Sequence, residues 1–376
     1  MTAARPTILG QDRALETLRA AIGGGHVHHA WIFHGPAGVG KCTTAMEFAR
    51  LLLDPTVDPR GLAEFRAPSA TKVAAMIDSG THPDLMVIRK ERTEDSSIAS
   101  VRDRKQTNIP VDLLRELMLG GEVDGRMLDA PVARTAYLGH GKVFLIDEAE
   151  LLDTVGQNAL LKTLEEPPPG TYIILVTTRE DRLLPTIRSR CQRVGFQPLD
   201  AASMRTWLGR DAAAASLADD RESLEWLLRF ADGSPGEFST AFRRGAHAWA
   251  KELLPAFRQL ERGRLDPRLS ERMAELIAEC SESIVKENSK ASKDAANRLG
   301  SRLLLGILAL HVRDEIRAAA AAGDEATAAW RAGFTGVLEV ADEAIRRHLN
   351  LKHVLANLVA QWMARGAGPV AAGAAR

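Results

Sequence analysis

Gly35-Pro36-Ala37-Gly38-Val39-Gly40-Lys41-Cys42-Thr43 decides how the rest of the chain is read. Gly35, Gly38, Gly40 and Lys41 fit a phosphate-binding loop, G-x-x-x-x-G-K-[ST], but Cys42 stands where a hydroxyl would hold Mg²⁺. The stretch follows an apolar run at 30–34 and opens an amphipathic segment at Lys41, the strand–loop–helix setting that the motif requires. In that setting glycines let backbone N–H groups turn toward phosphate oxygens. The helix N-terminus adds partial positive charge, and Lys41 neutralises the β and γ phosphates. Residues 35–43 are therefore expected to hold a nucleotide, ATP by this motif. A thiol is a soft, poor ligand for a cation that wants oxygen, so Cys42 argues against hydrolysis.

Two further elements carry chemistry. The apolar run Val143-Phe144-Leu145-Ile146 ends in Asp147 and Glu148. Beside a phosphate loop, Asp147 is the expected Mg²⁺ ligand and Glu148 the group that polarises attacking water. Thr177 and Thr178 close another apolar run, 171–177, where a hydroxyl, Thr178 foremost, can bond the lytic water or the γ-phosphate. Ser189-Arg190-Cys191 then offers an arginine suited to a phosphate; a lone arginine read by itself is a surface ion pair.

Five short apolar runs are the expected strands: 30–34, 84–89, 142–147, 171–177 and 192–196. Helical patterns at 11–22, 41–53, 110–118 and 154–165 separate most of them. That alternation predicts a parallel sheet with helices on both faces, with 84–89 free to insert between the loop strand and the acidic strand. Residues 54–80 read as a proline-containing insertion and 91–108 as a mobile polar loop. After Pro198 the strand signals stop. Alanine, leucine and charge dominate, with five of the six tryptophans (Trp207, Trp226, Trp249, Trp330, Trp362) expected as helix-packing anchors. The expected order is α/β then all-α, ending in a frayed tail at 367–376.

Composition narrows the function classes. Of 376 residues, 49 are basic and 49 acidic, which gives no support to bulk polyanion binding. Cys42, Cys191 and Cys280 are scattered, so neither a zinc site nor a disulfide framework is expected. No signal peptide or membrane-spanning run is read, which points to the cytoplasm. Arg102, Arg104 and Lys105 are interrupted by Asp103 and read as a solvated loop rather than a DNA contact. His26, His28 and His29 lack the Cys or acid neighbours of a metal site.

Longer matches converge on one family. The chain resembles the AAA+ subunits of the bacterial DNA polymerase III clamp loader, and among them the delta-prime type. The carrying text is His29-Ala30-Trp31-Ile32-Phe33, Gly80-Thr81-His82-Pro83-Asp84, Ile109-Pro110-Val111-Asp112 with Arg115-Glu116, the run from Asn158 to Pro168, and Leu183 through Cys191. The resemblance implies an AAA+ module at 1–198, a helical lid at 199–245 and a helical collar at 246–366. It implies a five-subunit ring with delta and gamma/tau partners that loads a sliding clamp on primed DNA. It further implies that Arg190 works in trans on a neighbour's ATP, and that Gln11, with Ile8 and Gly10, flanks the adenine pocket. Three departures stand out: Cys42; Gly236, in Gly233-Ser234-Pro235-Gly236, where motor subunits carry a sensing arginine; and an insertion 54–80 without the family's four zinc cysteines. These favour a delta-prime-like subunit with weak or no ATPase. Lys41, Asp147 and Glu148 favour the alternative, a gamma/tau-type motor of the same loader. A self-contained AAA+ helicase or remodeller would need a winged helix or pore-loop motif, which the sequence lacks.

Overall fold

The computed structural model describes residues 6–58, 62, 64–211, 217 and 220–365. Packing divides the chain into two compact units: Met1–Arg210 with Gly233–Gly236, and Asp211–Asp232 with Glu237–Arg376. The expected tail at 367–376 lies outside the described residues.

The first unit is built on a five-stranded parallel sheet. In chain order its strands are β1 (Ala30–His34), β2 (Leu85–Ile88), β5 (Lys142–Ile146), β6 (Thr171–Thr177) and β7 (Gln192–Gly195), with a small hairpin of β3 (Gly121–Val123) and β4 (Arg126–Leu128) between β2 and β5. The spatial order is β2-β5-β6-β1-β7. All five expected strands form, and β1 and β6 keep their expected limits. One placement is corrected: the strand between the loop strand and the acidic strand is β6, and β2 takes the edge beside β5. Burial follows this placement: six of the seven residues in β6 are buried, as in a central strand, whereas three of the four in β2 are only partly buried.

Alternation along the strands splits the core between the two faces. Ala30, Ile32, Phe144, Ile146, Ile173 and Leu175 share one cluster with Leu160 and Leu164 of the helix Thr154–Glu165. On β1 the intervening residues Trp31 and Phe33 meet Phe48 of the helix Lys41–Leu53, at ring-centroid distances of 5.4 and 6.1 Å. Phe33 also packs on Phe196 at 5.3 Å.

Two segments expected to be irregular are ordered by carboxylates. Residues 91–108 contain the 3₁₀ turn Lys90–Asp95 and the helical turn Ala99–Arg102 instead of a featureless loop. Glu116 accepts from the Ser97 amide (2.8 Å), the Ser97 hydroxyl (2.7 Å) and the Ser96 hydroxyl. Within the insertion, Thr71 caps the helix Lys72–Asp78 and donates to Asp54 Oδ2 at 2.6 Å. Glu47 accepts from the Ala67 amide, Arg50 reaches Asp78 at 2.7 Å, and Phe65 stacks on Phe48. The described part of the insertion is thus tied to the helix Lys41–Leu53 by hydrogen bonds and an aromatic pair. The β3–β4 hairpin was unforeseen, although its turn, Asp124-Gly125, carries the positive φ values (49° and 75°) that favour such a dipeptide.

The second unit is helical: Arg221–Ala231, most of Pro235–Arg243, Ala246–Glu261, Leu269–Glu287, Lys293–Ala321, Glu325–Arg346 and Leu351–Ala364. Of the five tryptophans expected as packing anchors, Trp226, Trp249 and Trp362 are buried, whereas Trp207 and Trp330 are only partly buried. Among the described residues no helix is long and apolar enough to cross a membrane.

Candidate functional site

The loop 35–40 leaves the carboxyl end of β1 and enters the helix Lys41–Leu53. Gly35, Gly38 and Gly40 have φ of 139°, 71° and 99°, conformations that only glycine adopts readily. Every carbonyl of the loop is taken by a protein donor. Lys41 Nζ donates to Gly35 O (2.8 Å) and Pro36 O, and Ser234 Oγ to Ala37 O (2.8 Å). The Gly236 amide donates to Gly38 O (3.0 Å), Gln11 Nε2 to Val39 O (3.2 Å), and Thr44 to Gly40 O through both its amide and its hydroxyl (2.9 Å each). With its carbonyls committed to protein and glycines at three positive-φ positions, the loop has a backbone suited to an anion. Burial pushes the Lys41 ammonium down from its usual pKa range, while Glu150, Asp147 and Cys42 oppose the shift in that order. The residues fit the phosphates of a nucleotide.

They do not fit Mg²⁺. Cys42 lies beside Asp147, and burial together with that carboxylate pushes its thiol up to about 12. At neutral pH it is a protonated sulfur, which offers a hard cation nothing. Thr43 follows in the same first helical turn, and Thr44 spends its hydroxyl on Gly40 O.

Strand register assembles the remaining groups. Ile88 lies opposite Ile146, so the residues after β2 meet those after β5. Lys90 consequently grips Glu148 at 2.7 and 2.5 Å. Partial burial pushes the Glu148 carboxyl up and Lys90 pulls it back. The residue expected to polarise water is therefore held by an ammonium. His34 lies opposite Thr177, which brings Thr178 level with Gly35. The Thr178 amide and hydroxyl both donate to Glu150 Oε1, at 3.1 and 2.6 Å. Gln11, buried, exchanges two hydrogen bonds with the Gln197 backbone besides its bond to Val39. Its side-chain amide is a strut for the loop, not a group offered to a base.

Arg190 sits at the other edge of the sheet. It precedes β7, and Trp31 is opposite Gln192, so Arg190 is level with His29, six residues before Gly35 on the parallel β1. At about 3.3 Å per residue that is roughly 20 Å from the loop. Arg190 pairs with Glu165 at 2.6 Å and donates to Thr186 O at 2.9 Å. It borders an open cavity of about 370 Å³ with His28, His29, Glu165 and Ser189. His28 and His29 stack at 4.4 Å, and His29 Nε2 bonds Leu164 O. Lys90, Glu150 and Glu165 carry no motif in the sequence that assigns them a role. Lys90 meets Glu148 across 58 residues, a pairing that no local pattern signals.

Gly236 also acquires a physical reason. A Cβ there would lie 2.5 Å from Gly38 Cα, against backbone that cannot yield cheaply. Gly236→Arg therefore does not simply install a sensing arginine. It is expected to cost about 1–3 kcal/mol through overpacking and to speed hydrogen exchange of amides 35–41. Unchanged exchange in that variant would mean that the Gly38–Gly236 contact is not what holds the loop.

A parallel sheet with a glycine loop and an acid pair at its carboxyl edge defines a P-loop module. Residues 10–200, more than half of the chain, match the family described as DNA polymerase III, delta subunit, and the chain belongs to that family. It is 35% identical over 222 residues to DNA polymerase III subunit delta' of Pseudomonas aeruginosa, 58% of each chain. Similarity to subunit delta' of Escherichia coli is 30% over 239 residues, 64% of this chain and 61% of that one. Subunit gamma/tau of Mycobacterium tuberculosis is 30% identical over 231 residues, 61% of this chain and 34% of that one. The match thus spans less than two thirds of each of these relatives. A gamma-subunit-related DNA polymerase III protein of Thermotoga maritima aligns over 94% of this chain at 19% identity and a TM-score of 0.43.

Proposed function

We propose that the chain is a delta-prime-type subunit of a DNA polymerase III clamp loader, working in the cytoplasm with delta and gamma/tau partners in a five-subunit ring. Residues 1–198 form its AAA+ module, 199–245 its lid and 246–366 its collar. Through the complex it helps to load a sliding clamp on primed DNA. Its own site hydrolyses ATP weakly or not at all, and it lends Arg190 to the site of the adjoining subunit.

The observation that carries this reading is the placement of Arg190 roughly 20 Å from its own loop, on the opposite sheet edge. An arginine there is out of reach of the nucleotide of its own chain, and its half-exposed side chain is open to a neighbour. Its guanidinium is a planar, permanently charged fork suited to phosphate, and it now rests on Glu165. At the chain's own site, Lys41 and residues 35–40 would hold the phosphates of ATP, which supply the negative charge that the cradle is shaped for. Catalysis there is undercut three times: Cys42 provides no Mg²⁺ hydroxyl, Lys90 occupies Glu148, and Glu150 occupies Thr178. The gamma/tau-type alternative keeps Lys41, Asp147 and Glu148 in its favour, but the Lys90 pair weighs against it.

The test is ATP turnover by the purified chain, first alone and then with its loader partners. Alone, it should be no faster than its Lys41→Ala variant. With delta and gamma/tau chains, it should enter one complex whose turnover exceeds that of gamma/tau alone. Turnover by the isolated chain of about 1 s⁻¹ or more, within the ordinary enzymatic range, would support the motor reading instead.

A further inference from the structure

Glu150 belongs to neither expected motif, yet from the 3₁₀ turn Ala149–Leu151 its carboxylate acts on Lys41 and bonds Thr178. Its Oε1 accepts both donors of Thr178, the residue expected to meet a terminal phosphate. Its Oε2 is shielded from solvent and has no hydrogen-bond partner among the described residues. An orphaned carboxylate oxygen beside a phosphate loop carries a desolvation cost that a purely structural role does not explain.

The charges near this end run against a third phosphate. Asp147 and Glu150 are the carboxylates whose charges bear on Lys41. The Lys90 ammonium is spent on Glu148. Arg89 acts on the Cys42 side of the site and pairs with Glu91 at 3.8 Å. The donor set 42/147 brings no Mg²⁺ to offset a triphosphate. The cradle itself is complete where the first phosphates of a nucleotide would lie: loop 35–40 and Lys41, held at the mouth by Gly35 and Pro36 carbonyls.

We propose that this cleft selects a nucleoside diphosphate over a triphosphate, without Mg²⁺, and that the Glu150 carboxylate stands where the third phosphate would sit. The inference rests on residues 35–41 being a nucleotide site and is independent of what Arg190 does. A nucleoside diphosphate leaves Glu150 and Thr178 paired, whereas a triphosphate must break both hydrogen bonds and approach a like charge. The chain would then hold a spent nucleotide as a fixed structural ligand.

Calorimetric titration of the full chain with ADP and with ATP, each with and without Mg²⁺, tests this. ADP should bind about tenfold or more tightly than ATP, the scale of one like-charge contact in a partly shielded cleft. Adding Mg²⁺ should change ADP affinity by less than about threefold, since no hydroxyl is there to hold it. Glu150→Gln keeps the shape and an oxygen for Thr178 but removes the charge, and Glu150→Ala removes both. In either variant ATP should come within about threefold of ADP, because the repulsion is gone. The Gln variant covers the case in which Ala unfolds the turn. Equal or tighter binding of ATP by the unaltered chain, or an ADP preference that survives both variants, overturns the proposal. So does no binding of either nucleotide at millimolar concentration. That last result leaves the trans-acting arginine standing, because Arg190 is read out on the ATPase of the assembled complex.

Discussion

Arg190→Ala lowers ATP turnover at the adjoining site of the assembled complex by about a thousandfold or more, the range that trans-acting arginines supply. The effect is that large because a guanidinium stabilises charge on a phosphoryl group most strongly where water is excluded. Assembly should survive, since the contacts that Arg190 makes within its own chain are a half-exposed ion pair to Glu165 and bonds near Thr186. Such surface pairs contribute about 0–1 kcal/mol. The assay needs a complex in which only the adjoining site is competent, so that other motors do not mask the loss. Arg190→Lys separates charge from geometry: it keeps the cation and loses the fork, and should fall between the two. A complex that assembles and runs at full rate with Arg190→Ala removes the arginine from the mechanism.

Arg331→Met should destabilise the helical unit by about 3–5 kcal/mol, the cost of leaving a buried charge unpaired. Glu261 is 6% exposed and lies between three partners: Arg331 at 2.7 Å, the Trp362 indole N–H at 3.2 Å and the His311 ring at 3.7 Å. Arg331 in turn reaches Glu315 at 3.3 Å and covers the Trp330 ring at 4.4 Å. Burial alone would raise the Glu261 carboxyl, but His311, Arg331 and Trp362 together hold it below the ordinary glutamate range. A folded pKa below the unfolded one means stability that is complete above the unfolded value near about 4.3 and lost as pH falls through the folded value. The unaltered unit should therefore soften on acidification, and Arg331→Met should lose that acid sensitivity along with its stability. The double variant Glu261→Leu with Arg331→Met should recover most of the loss, because an apolar pair replaces the ionic one. Denaturation followed by hydrogen exchange over 246–365 measures all three. If Arg331→Met is as stable as the unaltered chain, the network is not what ties these helices together.

How far the sequence carried the fold follows from where the forces act. β1 and β6, and the helices Lys41–Leu53 and Thr154–Glu165, announce themselves by local pattern: apolar runs bounded by turns, then a 3.6-residue stripe. Strand order is non-local, and two apolar runs as alike as β6 and β2 do not tell which of them lies beside β1. Residues 91–108 looked unstructured since their order comes from Glu116, which lies outside the segment. In the site, Lys41, Cys42, Asp147 and Arg190 could be named from spacing and resemblance. What holds Glu148 and Thr178, namely Lys90 and Glu150, could not, because register and not sequence neighbourhood brings them together. Glu150 lies two residues after Glu148, a hint too common among surface acids to carry weight alone.

The most direct measurement is the position of Arg190 in the assembled complex with a non-hydrolysable ATP analogue bound to the gamma/tau subunits. Trans action requires the guanidinium to have left Glu165 and to lie within about 2.7–3.2 Å of the terminal phosphate on the adjoining subunit. An Arg190 still paired with Glu165, or turned to a face that no neighbour covers, would contradict it.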